Sequence, residues 1–227
     1  HLYSSNFNNL MMKTWFGLRL APLLLVLSQI YGCNTQEGFV VSGTLSDFYS
    51  GMSIADAELQ LSYTSLEGGT YSTNYKFLSE TTTDANGQFR LEFDYVSAVD
   101  FRIRSIKNGY VGEEYFFDRD DWKVKEDNIA ELTAFGESNL TVSLINNTSR
   151  SQYLLKLSEH SEGCTSCCSS GTYSIKNFVD TAFTCSMYAN QRVNYEIINA
   201  ELGDISKKTG SILIEPGTNY FQFDTSQ

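Results

Sequence analysis

Four cysteines that fall close together, Cys164, Cys167, Cys168 and Cys185, are the side chains of this sequence best equipped for chemistry. Three kinds of chemistry compete for Cys164-Thr165-Ser166-Cys167-Cys168. A redox Cys-x-x-Cys should open a helix beside a βαβ unit, where the helix terminus lowers the thiol pKa. Here the motif sits between Ser161-Glu162-Gly163 and Ser169-Ser170-Gly171, a loop-like setting with no βαβ pattern around it. A zinc site would take three of these cysteines plus Cys185 or His160, but a zinc ribbon wants a second close pair, and the sequence has none. In an exported chain four thiols form two disulfides. A Cys168–Cys185 bridge would close a short loop, worth about 3 kcal/mol in the chain-entropy model. Disulfides are the expectation.

The remaining candidates are thinner. His160 stands alone beside Glu162, and no serine lies in a Gly-x-Ser-x-Gly setting, so a nucleophile–base pair is missing. No glycine-rich phosphate loop follows a strand and opens a helix, and no cofactor is implied. Asp118, Asp120 and Asp121 form an acidic stretch that invites calcium, since hard cations take several carboxylate oxygens. The stretch lacks the glycine and trailing glutamate of an EF-hand, and a solvated acidic loop is the competing reading. Tyr71, Tyr75, Tyr110 and Trp122 sit in polar contexts where they would form a stacking platform for sugars; the alternative is ordinary edge-strand tyrosines. A carboxylate pair for glycoside hydrolysis leaves no mark in sequence, because its spacing is spatial.

Upstream of all of these, Leu20 to Cys33 is an apolar run preceded by Lys13 and Arg19 and closed by Gly32 directly before a cysteine. It is shorter than the roughly 20 apolar residues a spanning helix needs, and has the order of an export signal. Ile30-Tyr31-Gly32-Cys33 resembles the lipobox of bacterial lipoproteins. That resemblance implies a diacylglycerol on the Cys33 thiol, cleavage of the bond before it, fatty acylation such as palmitate, and a membrane partner met through lipid. It places the chain in a bacterial cell envelope, at the outer membrane. Only a thiol can form the thioether, and Gly32 keeps the cleavage site uncrowded. Residues 1–32 are thus read as upstream residues and signal, and 33–37 as a tether. The chain carries 27 acidic and 16 basic residues, with Lys13 and Arg19 in the removed segment. Such an excess of negative charge argues against nucleic acid and against docking onto anionic headgroups.

From Gly38 onward the elements that must position any site read as strands. Ala57, Leu59, Leu61 and Tyr63 alternate with polar residues, as do Phe89, Leu91, Phe93 and Tyr95, the period-2 signature of half-buried strands. Asp84-Ala85-Asn86-Gly87 predicts a tight hairpin. Leu140 to Ile145 reads as a closing strand of the first sandwich, with the break at Asn146-Asn147-Thr148-Ser149 as the domain boundary. The expected domains are 38–146 and 151–227. In the second, strands are predicted around Tyr153–Leu157, Tyr173–Ile175, Ala182–Tyr188, Val193–Ile198, Ser211–Ile214 and Tyr220–Phe223.

Gly43-Thr44-Leu45-Ser46-Asp47, then Ser50-Gly51 through Ala57-Glu58-Leu59-Gln60-Leu61, then Thr83-Asp84-Ala85-Asn86-Gly87-Gln88-Phe89, resemble the carboxypeptidase regulatory-like domain over roughly residues 38–110. Ser53 departs from the proline usual in that family. The resemblance implies a transthyretin-like β-sandwich, no catalytic residues, and a Bacteroidota-type host. The second half reads as a further small sandwich, immunoglobulin-like in its strand spacing. The expectation is an all-β, non-catalytic envelope lipoprotein that binds or assists a protein or glycan partner. The rival classes are an envelope hydrolase with a carboxylate pair and a calcium-stabilised carbohydrate-binding module.

Overall fold

A computed structural model describes residues 38–145, 152–158, 167–168, 172–175, 181–201 and 204–224. Cys33, His160, Cys164 and the 146–149 boundary lie outside these residues. The first half contains β1 (Gly38–Asp47), β2 (Glu58–Tyr63), β3 (Leu66–Glu67), β4 (Thr70–Tyr71), β5 (Lys76–Thr82), β6 (Gln88–Asp94), β7 (Asp100–Ile106), β8 (Glu114–Asp118) and β9 (Asp127–Ala134). The second contains β10 (Glu137–Ile145), β11 (Tyr153–Ser158), β12 (Thr172–Ile175), β13 (Thr181–Tyr188), β14 (Arg192–Glu201), β15 (Asp204–Leu213) and β16 (Gly217–Asp224). Among the described residues the single helical element is a 3₁₀ turn at Arg119–Asp121, so the all-β expectation holds.

Alternation in the sequence becomes alternation in space. Every second residue of β6 and of β9 is buried, and those between are exposed. In the first half β1 is the central strand of a β6-β1-β9 sheet, antiparallel to β6 and parallel to β9. The opposing sheet runs β5-β2-β7-β8. Inward residues of both sheets meet in one core that includes Phe39, Leu91, Leu59, Phe101 and Ile103. Gly43 has a reason of its own: a Cβ there would overlap the Ala130 carbonyl of β9, so the parallel pairing depends on its bare backbone.

The second half repeats this plan. Strand β10 is central in a β13-β10-β16 sheet, antiparallel to β13 and parallel to β16, and the partner sheet runs β12-β11-β14-β15. In chain order, β10 to β16 take the places of β1, β2, β5, β6, β7, β8 and β9, with the β3–β4 hairpin as an insertion in the first copy. The second β-rich half expected from the sequence is present, and its topology is that of the first.

Two expectations need correction. Leu140–Ile145 does not close the first sandwich. It lies in β10, paired with β13 and β16, and Leu140, Val142 and Leu144 are buried in the second core. A period-2 strand shows which face is apolar but not which core that face meets, so the turn to the second sandwich at Phe135-Gly136 left no mark. Asp84 to Gly87 is a tight turn with Gly87 at φ +71° and the Asp84 carboxylate accepting from the Asn86 and Gln88 amides at 2.8 Å. It is not a hairpin within one sheet, because β5 pairs with β2 and β6 with β1, so the turn carries the chain from one sheet to the other.

Candidate binding face

The outer surface of the β5-β2-β7-β8 sheet carries Phe77 and Phe116, two of the exposed aromatic residues of the first half. Register places Phe77, Ser62, Arg102 and Phe116 side by side across the four strands. Each alternates with an inward neighbour on its strand, such as Leu61, Phe101 and Ile103, so the row faces outward. Phe77 and Phe116 remain 63% and 62% exposed. They stand on one face of the sheet, on its two edge strands.

Tyr75 fills the middle of the row. The Arg102 guanidinium lies 4.1 Å from the Tyr75 ring centroid, and the Tyr75 and Phe116 centroids are 6.2 Å apart. Arg102 is fixed from below by Ser62 Oγ, which accepts from its Nε at 3.2 Å, and from the side by Glu114 at 3.1 Å. Burial pushes the Tyr75 hydroxyl above its ordinary pKa, with nearby Tyr71 and Asp100 adding to the shift. Tyr71, on β4, donates its hydroxyl to Asp100 Oδ2 at 2.7 Å, and that bond is the chief reason its own pKa is raised. The inserted β3–β4 hairpin is tied to β5 by a Lys76–Glu67 ion pair at 2.6 Å. Beside this row an open hollow of about 330 Å³ is lined by Tyr75, Asp100, Phe116, Phe117, Asp118 and Asp121.

Two of the four aromatic residues expected to form a platform, Tyr71 and Tyr75, therefore come together. The other two do not. Trp122 is 3% exposed and belongs to the first core, stacked on Phe101 at 4.6 Å, so it has no free face to offer. Tyr110 is half-buried and bridges to Gly136 at the seam between the halves, where burial first and the Asp47 charge second raise its pKa. Phe77 and Phe116 are the platform members that sequence reasoning missed. Their signal was present as phenylalanine at outward positions of alternating strands, but alternation alone does not say which phase faces out when both phases carry aromatics.

The acidic stretch is used locally. Asp121 Oδ2 accepts from the Asp118 amide at 2.9 Å, and Asp118 and Asp121 form a reciprocal capping box around the 3₁₀ turn. That turn directs Trp122 inward. Among the described residues no group of three or more His, Cys, Asp or Glu is placed to hold a metal ion. Of the four clustered cysteines, Cys168 and Cys185 are joined in a disulfide, and Cys167 is also disulfide-bonded. The Cys168–Cys185 bridge ties the loop after β11 to β13, beside a Cys168 amide bond to the Ser186 carbonyl at 2.9 Å.

Sequence comparison finds no matching protein family and no matching characterised protein. Comparison of structures finds likeness to the Bacillus anthracis TIE protein, at 15% identity and TM-score 0.36, covering 83% of this chain and 34% of that one. The shaft pilin SpaA of Lactobacillus rhamnosus GG follows at 8% identity and TM-score 0.34, covering 84% and 98%. BcpA, the major pilin subunit of Bacillus cereus, matches at 12% and 0.30, covering 79% and 69%. The chain spans about a third of the length of the TIE protein. At this level of similarity none of these likenesses bears on what the chain does.

Proposed function

We propose that this chain is a non-catalytic binding or accessory module of a bacterial cell envelope, held at the outer membrane by lipid on Cys33, and that it engages a protein or glycan partner through the face around Tyr75. The observation that carries the reading is the row Phe77, Arg102, Tyr75 and Phe116, in which Phe77 and Phe116 are largely exposed and Arg102 and Tyr75 are held against each other. Rigid sheets hold these side chains in place, so little conformational entropy is lost on contact. The carboxylates beside the row support binding rather than hydrolysis. Asp100 is engaged by the Tyr71 hydroxyl and Asp121 by a backbone amide, and the hollow they line is open rather than a closed cleft. The anchor rests on the lipobox resemblance, and the Bacteroidota-type host and the non-catalytic assignment of residues 38–110 on the carboxypeptidase regulatory-like resemblance.

The test uses full-length protein immobilised through its C-terminus in a pull-down from solubilised bacterial envelope and on a glycan array. Wild type is expected to retain a partner that Phe77→Ala/Phe116→Ala does not, with no product released from any bound glycan. Sustained turnover abolished by one Asp or Glu substitution would overturn the reading. In cells, labelled fatty acid is expected to enter wild type and not Cys33→Ala.

A further inference from the structure

We infer that the Tyr75 face takes the cationic side chain of a basic segment, arginine or lysine, from a protein partner. This deepens the binding reading above and rests on it. The chain already contains the contact in miniature. The Arg102 guanidinium covers one face of the Tyr75 ring at 4.1 Å, so a planar cation on this ring is a contact the fold already makes. Arg102 itself is spent on Ser62 and Glu114, so its charge is met within the chain.

The hollow next to it is different. Its walls are Tyr75, Phe116 and Phe117, and its polar lining is Asp100, Asp118 and Asp121. None of the ion pairs among the described residues includes any of these three carboxylates. Asp100 accepts from two neutral hydroxyls, those of Tyr71 at 2.7 Å and Thr64 at 3.4 Å, and Asp121 from a backbone amide, and each keeps lone pairs to spare. Aromatic ring faces and carboxylates have the same sign of field, and both reject anions. A neutral saccharide would use the rings and leave the charge uncompensated. A guanidinium or ammonium on an aliphatic stem uses both, with its stem on Phe116 and its head toward the acids. The flanking row from Phe77 to Phe116 extends about 14 Å across three strand spacings, which gives neighbouring residues of an extended segment an apolar surface to lie on.

A polycation will approach any chain of net charge −11, so the test has to separate local recognition from diffuse attraction. Binding of fluorescein-labelled hexa-arginine to the full-length protein is measured by anisotropy at about 0.15 M salt, where the screening length is about 8 Å. Phe116→Ala leaves every charge in place, and its side chain is largely exposed, so a thermal melt is expected to match wild type. Affinity is expected to fall about fivefold or more for Phe116→Ala. Asp100→Asn is expected to weaken binding as well, whereas the charge-matched control Glu131→Gln, on the exposed phase of β9, is expected to leave it unchanged. Equal affinity for wild type and Phe116→Ala, or equal losses for Asp100→Asn and Glu131→Gln, would overturn the inference by reducing it to diffuse charge. Neutral chitohexaose and cellohexaose are run in parallel. Saccharide binding that depends on Phe116, without Phe116-dependent peptide binding, would overturn the basic-segment inference and leave the binding-module reading standing. Turnover of either saccharide would overturn that reading instead.

Discussion

The two halves share one strand plan and hold it with different chemistry. The first packs rings: Phe39 against Phe93 at 5.2 Å, and Phe101 against Trp122 at 4.6 Å. In the second the most deeply buried residues are aliphatic, Leu140, Val142, Leu144, Leu155, Leu157 and Ile214 among them, with partly buried rings such as Tyr173 and Phe183 packed against them, and the Cys168–Cys185 crosslink is added. Large rings bury much apolar area per residue, so the first core reaches stability by burial alone. The second core gains in addition by restriction of its unfolded chain, which is what a crosslink does. The outward faces diverge as well: the β3–β4 insertion and the Phe77–Phe116 row belong to the first copy. The same plan thus separates into a copy that presents a face and a copy fastened by sulfur. The seam between them is itself aromatic, with Phe135 stacked on Tyr188 at 4.4 Å and packed on Phe48 at 4.8 Å.

The largest break in this comparison should come from the first core. Phe101 is fully buried and touches Phe39, Phe93 and Trp122, so Phe101→Ala is expected to cost about 3–5 kcal/mol. Hydrogen exchange read by mass spectrometry should show protection lost from β1 to β9 before β10 to β16. Simultaneous loss in both halves would mean that they unfold as one unit. Next in size, Cys168→Ser/Cys185→Ser is expected to cost about 3 kcal/mol, confined to the second half. A denaturant titration with a tryptophan signal tests this cleanly, because Trp122 reports on the first core and should keep its midpoint. Phe135→Ala is smaller, about 1–2 kcal/mol for lost ring packing. Its distinctive mark is a widened gap between the two transitions.

How much of this could be read from sequence differs between the halves for a physical reason. Phe89, Leu91 and Phe93 alternate with charged and amide residues, so burial phase is unambiguous and β6 is legible. The Asp84–Gly87 turn is legible too, since positive φ at Gly87 and a side-chain acceptor at Asp84 are local requirements. Partner choice is not local. Nothing in Leu140-Thr141-Val142 says that it pairs with β13 rather than with the first sandwich, and the link of two residues at Phe135-Gly136 carries no proline or polar run to mark it. The repeat stayed hidden for the same reason, because the plan is kept by alternation and strand pairing while the residues at matching positions differ. At the binding face, Tyr71 and Tyr75 were found from their polar surroundings, whereas Trp122 has equally polar neighbours and points inward. The cause is the Asp118–Asp121 capping box, a backbone event that composition does not show.

The smallest effect sharpens the comparison at the edge of the first sandwich. Tyr115, on β8, donates its hydroxyl to the Thr133 carbonyl of β9 at 2.7 Å, joining the two sheets where neither strand has a further partner. Burial pushes this hydroxyl up to about 12. A raised folded pKa means that the neutral phenol is favoured in the fold. Its contribution is therefore complete below the unfolded value near 10 and is lost as pH rises from there through about 12. Tyr115→Phe is expected to lower stability by about 1 kcal/mol at pH 7, since the hydrogen bond to Thr133 is lost while the ring remains. The same variant should also show a shallower loss of stability between pH 10 and about 12 than wild type. Urea midpoints measured at pH 7, 10 and 11.5, with exchange protection followed separately in β8–β9 and β15–β16, decide the matter. Parallel alkaline curves for wild type and variant would place the sensitive hydroxyl elsewhere. A change confined to β8–β9 would show that the first copy closes this edge with a proton that the second copy does without.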